Sequence, residues 1–278
     1  MKHTTISMLT PELGRCPAYD RFYRTYSMLV ATNVVTHHLI HQVSEAHLAD
    51  LLLCEVVEGA KSDYVRARTL YSAMGLSFEA VQMGEDRGLD LTDVSQSLAE
   101  GRATAKQIIL AFQNFNEFVI LFALFEDAVK DLLSPTDGGS AVKLKEPKVM
   151  EDLLTYLQGL ALFKRFKAEL EARTICEDYE DAKRLWTYFV ALRHLYVHSG
   201  GRPTSKWMTD YKEVRDAVVS RLESPDIGTM DVREIIEEEI EPRERVLLML
   251  PDGLVNIFRN FVVGVMEAVY VSGLPRTA

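Results

Sequence analysis

Apolar residues recur along this chain at intervals of three and four, the spacing that lines one face of a helix, and sustained two-residue alternation is scarce. No Asn-Gly or Asp-Gly pair joins two β-branched runs, so hairpins lack their commonest turn. The pattern predicts an all-α fold. Expected helices cover 20–57, 62–83, 103–133, 147–172, 178–198, 205–222 and 252–271, with a short acidic one at 231–239. Apolar density falls over 84–101, where Gly, Asp and Ser accumulate, and this stretch is expected to be a linker. A loop is expected at 134–139 (SPTDGG), and 199–203 (SGGRP) should end the fifth helix.

Composition narrows the class. With 278 residues, 47% hydrophobic and 26% charged, the chain is an ordinary globular protein and is long enough to bury a core without disulfides. A division at the linker gives an N-terminal helical region over 1–100, of unknown role, and a helical domain over 101–278. The three cysteines, Cys16, Cys54 and Cys176, are far apart and form no CxxC, which points to a reducing, cytoplasmic setting and to no zinc knuckle. The start of the chain has no apolar signal core. The longest unbroken apolar run, 118–125, is far short of the ~18 residues of a membrane span, so a soluble protein without membrane contact is expected.

Charge is uneven. The net charge is −10, which on its face disfavours nucleic acid. Nine acids against two bases between Glu223 and Glu244 account for most of the excess, whereas Arg193 to Leu222 carries six bases against three acids. The second block is a candidate anion-attracting strip.

Two helices stand out. In the third, Phe112, Phe115, Val119, Phe122 and Glu126 follow one helical stripe, so a carboxylate lies in line with a row of aromatics and needs a donor or a cation. In the fifth, Leu185, Phe189, Leu192 and Tyr196 form a core stripe, while Thr187, Ala191, His194 and His198 fall within about 60° of one another at ~100° per residue. That seam of small and titratable groups suits close approach of another helix. Arg193 is about 140° from His198 on an ideal helix. The two can act together through the long Arg stem, through distortion of the last turn, or across a two-fold axis, and the last predicts a homodimer.

The segment Leu192-Arg193-His194-Leu195-Tyr196-Val197-His198-Ser199-Gly200-Gly201 resembles the signature of the HEPN superfamily, an Arg followed after four to six residues by a His, with a polar residue next to the Arg. Here four residues intervene and the polar neighbour is His194. The upstream Phe122 to Ala128 resembles the family's first helix, which often carries an acid facing the motif. The resemblance extends over about 103–271 and implies an up-and-down helical bundle whose motif helices meet in a homodimer. It also implies either a metal-independent endoribonuclease in toxin or antiphage roles, held in check by a regulatory or antitoxin protein, or a non-catalytic dimerisation or nucleotide-binding module.

The residue types suit RNA cleavage. Ribose supplies the 2′-OH nucleophile, so the protein must provide a base, an acid for the leaving 5′-oxygen and a cation for the phosphorane, without cofactor or metal. Histidine, with a reference pKa of about 6.5, serves either proton role, and arginine holds phosphate oxygens in a fork. The expected assignments are His198 as general acid or base, Arg193 as phosphate clamp, His194 as positioning or second proton-transfer group, and Glu126 as orienting carboxylate. Arg202, Lys206 and Arg215 are candidates to follow the RNA backbone, and Tyr196 and Trp207 to stack on bases, although burial would equally account for both aromatics.

Elsewhere, His37, His41 and Glu45 share a helix face beside His38 and His47, a spacing compatible with a metal but more simply a polar face. No P-loop, dinucleotide, α/β-hydrolase or kinase motif occurs. RNA and a second copy of the chain are therefore the expected partners.

Overall fold

A computed structural model describes residues 9–12, 15–53, 92–133, 148–160, 162–221, 232–237, 240 and 242–273. Among them are ten helices and no strand: α1 (Pro17–Gln42), α2 (Glu45–Leu52), α3 (Thr92–Ala99), α4 (Ala105–Leu133), α5 (Val149–Gln158), α6 (Phe163–Arg173), α7 (Tyr179–Ser199), α8 (Ser205–Val219), α9 (Val232–Glu237) and α10 (Asp252–Ser272). The fold is an all-α bundle, as the hydrophobic period predicts. The expected helix 62–83 and the loop 134–139 lie outside the described residues.

Two expected helices are each divided. The one over 20–57 breaks at Ser44, whose extended backbone and side-chain bond to the His47 amide cap α2. The one over 147–172 breaks after Gly159, the C-cap of α5. Part of the expected linker is also ordered, since Thr92–Ala99 is α3.

The described residues form two compact units, one comprising those up to Asn33 with those from Asn114 onward, the other those from Val34 to Gln113. This partition does not follow the linker at 84–101. The reason is chemical: Tyr19, Phe22 and Tyr26 of α1 are buried in the same core as the C-terminal helices.

In the larger unit α10 is the central helix. It is buried on nearly every face, as expected of a helix apolar all round. Phe118 and Phe122 of α4 and Phe189 of α7 pack on Phe258 of α10 with ring centroids 4.6, 5.7 and 4.6 Å apart. α6 runs against α10, and a Cβ on Gly264 would lie 2.6 Å from the Arg173 carbonyl oxygen, so only glycine admits this approach. Buried charge is paired. Glu117 accepts from Asn33 and from both Nε and one Nη of Arg259. Glu267 accepts from Arg173 Nη1 at 3.1 Å and from the Leu9 amide at 2.8 Å, while the Glu12 amide donates to Tyr270 Oη, fastening the segment before α1 to α10.

In the smaller unit Ile40, Leu48 and Ala105 form the core, with Leu98 and Ile109 packed on it. Glu45 accepts from the Ala105 and Lys106 amides at the start of α4, where Thr104 and Gln107 also make a reciprocal capping box.

By length and composition α4 and α10 are each apolar enough to cross a bilayer, although the longest unbroken apolar run is short. In α10, 78% of the apolar window is buried inside the protein, against 39% in α4. Of the polar residues in α4, Asn114 and Glu117 are buried and hydrogen-bonded within the bundle, whereas Asn116, Asp127 and Asp131 are exposed.

Candidate functional site

The motif helix α7 begins at Asp178, whose carboxylate accepts from the Asp181 amide at 2.9 Å, with Glu180 and Asp181 in the favourable first turn. It ends at Gly200, where φ is 55°, a left-handed cap that L side chains disfavour. Gly201 follows at φ 78°. Its amide donates to the Leu195 carbonyl at 3.2 Å, and a Cβ there would lie 2.9 Å from both Leu247 Cδ1 and Tyr196 Cε1. Two consecutive glycines are thus needed to turn the chain tightly behind His198.

His194 and His198 approach edge to face with ring centroids 5.5 Å apart. His198 is exposed and His194 half-buried. Thr187 and Ala191 complete the seam, exposed and half-buried respectively. Trp207 of α8 flanks it, donating from its indole to the Ala191 carbonyl at 3.0 Å.

Arg193 points the other way. One Nη lies 3.8 Å from Glu126 Oε2 and its guanidinium carbon is 4.8 Å from the Phe122 ring centroid. Both side chains are largely removed from water, at 16% and 9% exposure. This setting differs from that of an open phosphate clamp: the cation is already engaged by a carboxylate and an aromatic face. Glu126 has the cation that its place in the aromatic stripe demands. Phe112, at the start of that stripe, is 42% exposed, because the buried rows of α4 run through Phe118, Leu121, Phe122 and Phe125.

Tyr196 is a core residue and not a stacking platform. It is 7% exposed, its ring stacks on Phe115 at 4.7 Å and its hydroxyl donates to the Leu248 carbonyl at 2.5 Å. Burial pushes its phenol far above the ordinary range. Trp207 stacks on Tyr211 at 4.7 Å. Arg202 and Lys206 are exposed, and Arg202 Nη1 lies 3.8 Å from the position of a Cβ on Gly200, over the end of α7. Arg215 is turned to its neighbour Asp216 at 2.9 Å.

A further cation escaped the sequence reading. The Arg245 amide donates to the Pro203 carbonyl at 2.9 Å and the Leu248 amide to the Gly201 carbonyl at 2.9 Å, bringing 245–248 alongside 201–203. The acidic block of the sequence ends at Glu244, one residue short of Arg245, and the Arg243-Glu244-Arg245 triplet at its edge was the available signal.

Among the described residues no three His, Cys, Asp or Glu side chains gather closely enough to hold a metal ion. Glu45, third in the row with His37 and His41, is occupied with the amides that open α4. No protein-family model, curated protein or solved structure matches this chain.

Proposed function

We propose that the protein is a metal-independent endoribonuclease of the HEPN type, acting in the cytoplasm as a homodimer whose two α7 seams form a composite cleft. The observation that carries this reading is the pair of imidazoles, 5.5 Å apart toward the C-terminal end of α7. One imidazole takes the proton of the ribose 2′-OH as that oxygen attacks phosphorus. The other, as imidazolium, gives a proton to the 5′-oxygen as the P–O5′ bond breaks, leaving a 2′,3′-cyclic phosphate and a free 5′-hydroxyl. His198, the more exposed, and His194 carry these steps. Arg193, engaged with Glu126, acts as a positioning residue for the last turn of α7, and Arg202 meets the phosphate charge. A toxin or antiphage role, restrained by a regulatory protein, follows from the same resemblance.

The inward setting of Arg193 favours a second reading, a non-catalytic dimerisation or nucleotide-binding module on the same helices. Labelled RNA incubated in EDTA with the full chain and with His198→Ala and His194→Ala separates the two. The ribonuclease reading expects cyclic-phosphate ends and a loss of about 10²–10⁴-fold in His198→Ala, the usual worth of a general acid or base. Equal turnover by wild type and both variants would remove it. Arg193→Lys should retain turnover better than Arg193→Ala if the residue acts by position, and sedimentation of the wild type should report a dimer.

A further inference from the structure

Arg245 is the one non-glycine residue at positive φ among the described residues, at 59°. An L side chain pays for that conformation in steric strain, so neighbouring structure must hold it. The holding contacts are on both sides. Arg245 and Leu248 donate backbone bonds to Pro203 and Gly201, and the Val246 amide donates to the Arg243 carbonyl at 3.1 Å. The Tyr196 hydroxyl donates to Leu248, and Leu247 fills the space beside Gly201. The segment 242–250 is therefore a clasp, antiparallel to the turn that follows the motif helix.

Its strained residue carries an exposed guanidinium. The pairing with Pro203 brings Arg245 beside Arg202 and the first turn of α8, which bears Lys206, while Arg202 leans over the end of α7. Backbone pairing thus brings two cation-bearing stretches, 202–206 and 243–245, together just beyond the end of α7 in a chain whose net charge is −10. Glu244, also exposed, is the single carboxylate within 242–250. Local positive charge on an otherwise acidic surface directs an anion to that place and away from the rest. We propose that the clasp is the second wall of the nucleic-acid site, and that Arg245 binds a phosphate of single-stranded RNA next to the one at His198. This rests on the ribonuclease reading for the identity of the anion. The Arg245 conformation and its backbone bonds stand apart from that reading.

The test uses a fluorescent 2′-O-methyl oligouridylate, which lacks the nucleophile and stays uncut. Its anisotropy is followed on titration with full-length wild type, Arg245→Ala, Arg245→Gly and, as a surface-charge control, Lys164→Ala on α6. Arg245→Gly removes the guanidinium while suiting the positive φ, so it keeps the clasp folded. Both Arg245 variants are expected to bind about 5- to 10-fold more weakly and to lower the slope of log affinity against log salt by about 0.7, the value of one phosphate contact on a single strand. Lys164→Ala should match wild type. Unchanged affinity and slope in Arg245→Gly overturns the proposal, and does so alone if unmodified RNA is still cut in a His198-dependent manner. Arg245-dependent binding without cleavage supports the clasp and removes the ribonuclease instead. Arg245-dependent binding of polyglutamate in place of the oligouridylate assigns the clasp to an acidic protein and overturns the proposal.

Discussion

Arg193 of α7 and Glu126 of α4 face each other across the bundle as a buried ion pair at 3.8 Å, with the guanidinium laid over Phe122. Removing one partner of such a pair leaves a charge in a poorly hydrated place, whereas removing both together does not. Glu126→Gln is expected to lower stability by about 2–3 kcal/mol, below the ~3–5 kcal/mol of a fully buried pair because Arg193 keeps some exposure. Glu126→Gln combined with Arg193→Met should recover part of that loss. Urea midpoints for the three variants check it.

Gly201 and Gly200 provide a graded comparison. At Gly201 a Cβ meets both positive φ and two side chains at 2.9 Å, one of them the hydrogen-bonded and stacked Tyr196 ring, so Gly201→Ala should cost about 2–3 kcal/mol. Gly200→Ala has only the αL penalty, since Arg202 Nη1 is 3.8 Å away, and should cost about 1 kcal/mol. Thermal melts that rank Gly200→Ala as the worse variant would contradict this account of the turn.

Gly264 poses a different contest. Alanine is the better helix former by about 1 kcal/mol, but its Cβ would lie 2.6 Å from the Arg173 carbonyl oxygen, a backbone atom that cannot swing aside. Overpacking of this kind costs up to about 3 kcal/mol, so steric conflict wins and Gly264→Ala should be destabilising by about 2 kcal/mol net. A denaturant titration at fixed slope reads the difference.

Alkaline pH should unfold the protein through its buried acids. Burial raises the Tyr26 and Tyr211 phenols from 10.0 to about 12 and the Cys176 thiol from 9.0 to about 12. Their native state holds protons that the unfolded chain releases. The stabilisation is complete below the unfolded values and is lost as pH climbs from about 9 toward 12. Denaturant midpoints should fall steadily across that window, with tyrosinate absorbance rising together with loss of helix in the circular dichroism.

How far the sequence could be read depended on whether one segment or two distant ones decided the outcome. α7, α8, α9 and α10 lie within a few residues of expectation because local signals bound them: Asp178 as N-cap, the Gly200 turn, Thr204 as N-cap, and Pro251 before α10. The core stripe Leu185, Phe189, Leu192 and Tyr196 is buried as its spacing requires. Ser44 and Gly159 were equally local punctuation, outweighed by the continuous apolar period around them. At the candidate site, the closeness of His194 to His198 follows from their four-residue spacing alone. The inward turn of Arg193, the burial of Tyr196 and the arrival of Arg245 beside Pro203 depend on segments far apart in the chain, and no short-range pattern encodes them.

The embedding of Tyr19, Phe22 and Tyr26 among the aromatics of α4 and α10 has a practical corollary for anyone dissecting this protein. A fragment starting near residue 100 would bare a greasy trough where those three rings belong and would be prone to clump. The motif helix is better studied in the intact polypeptide, with side chains changed one at a time.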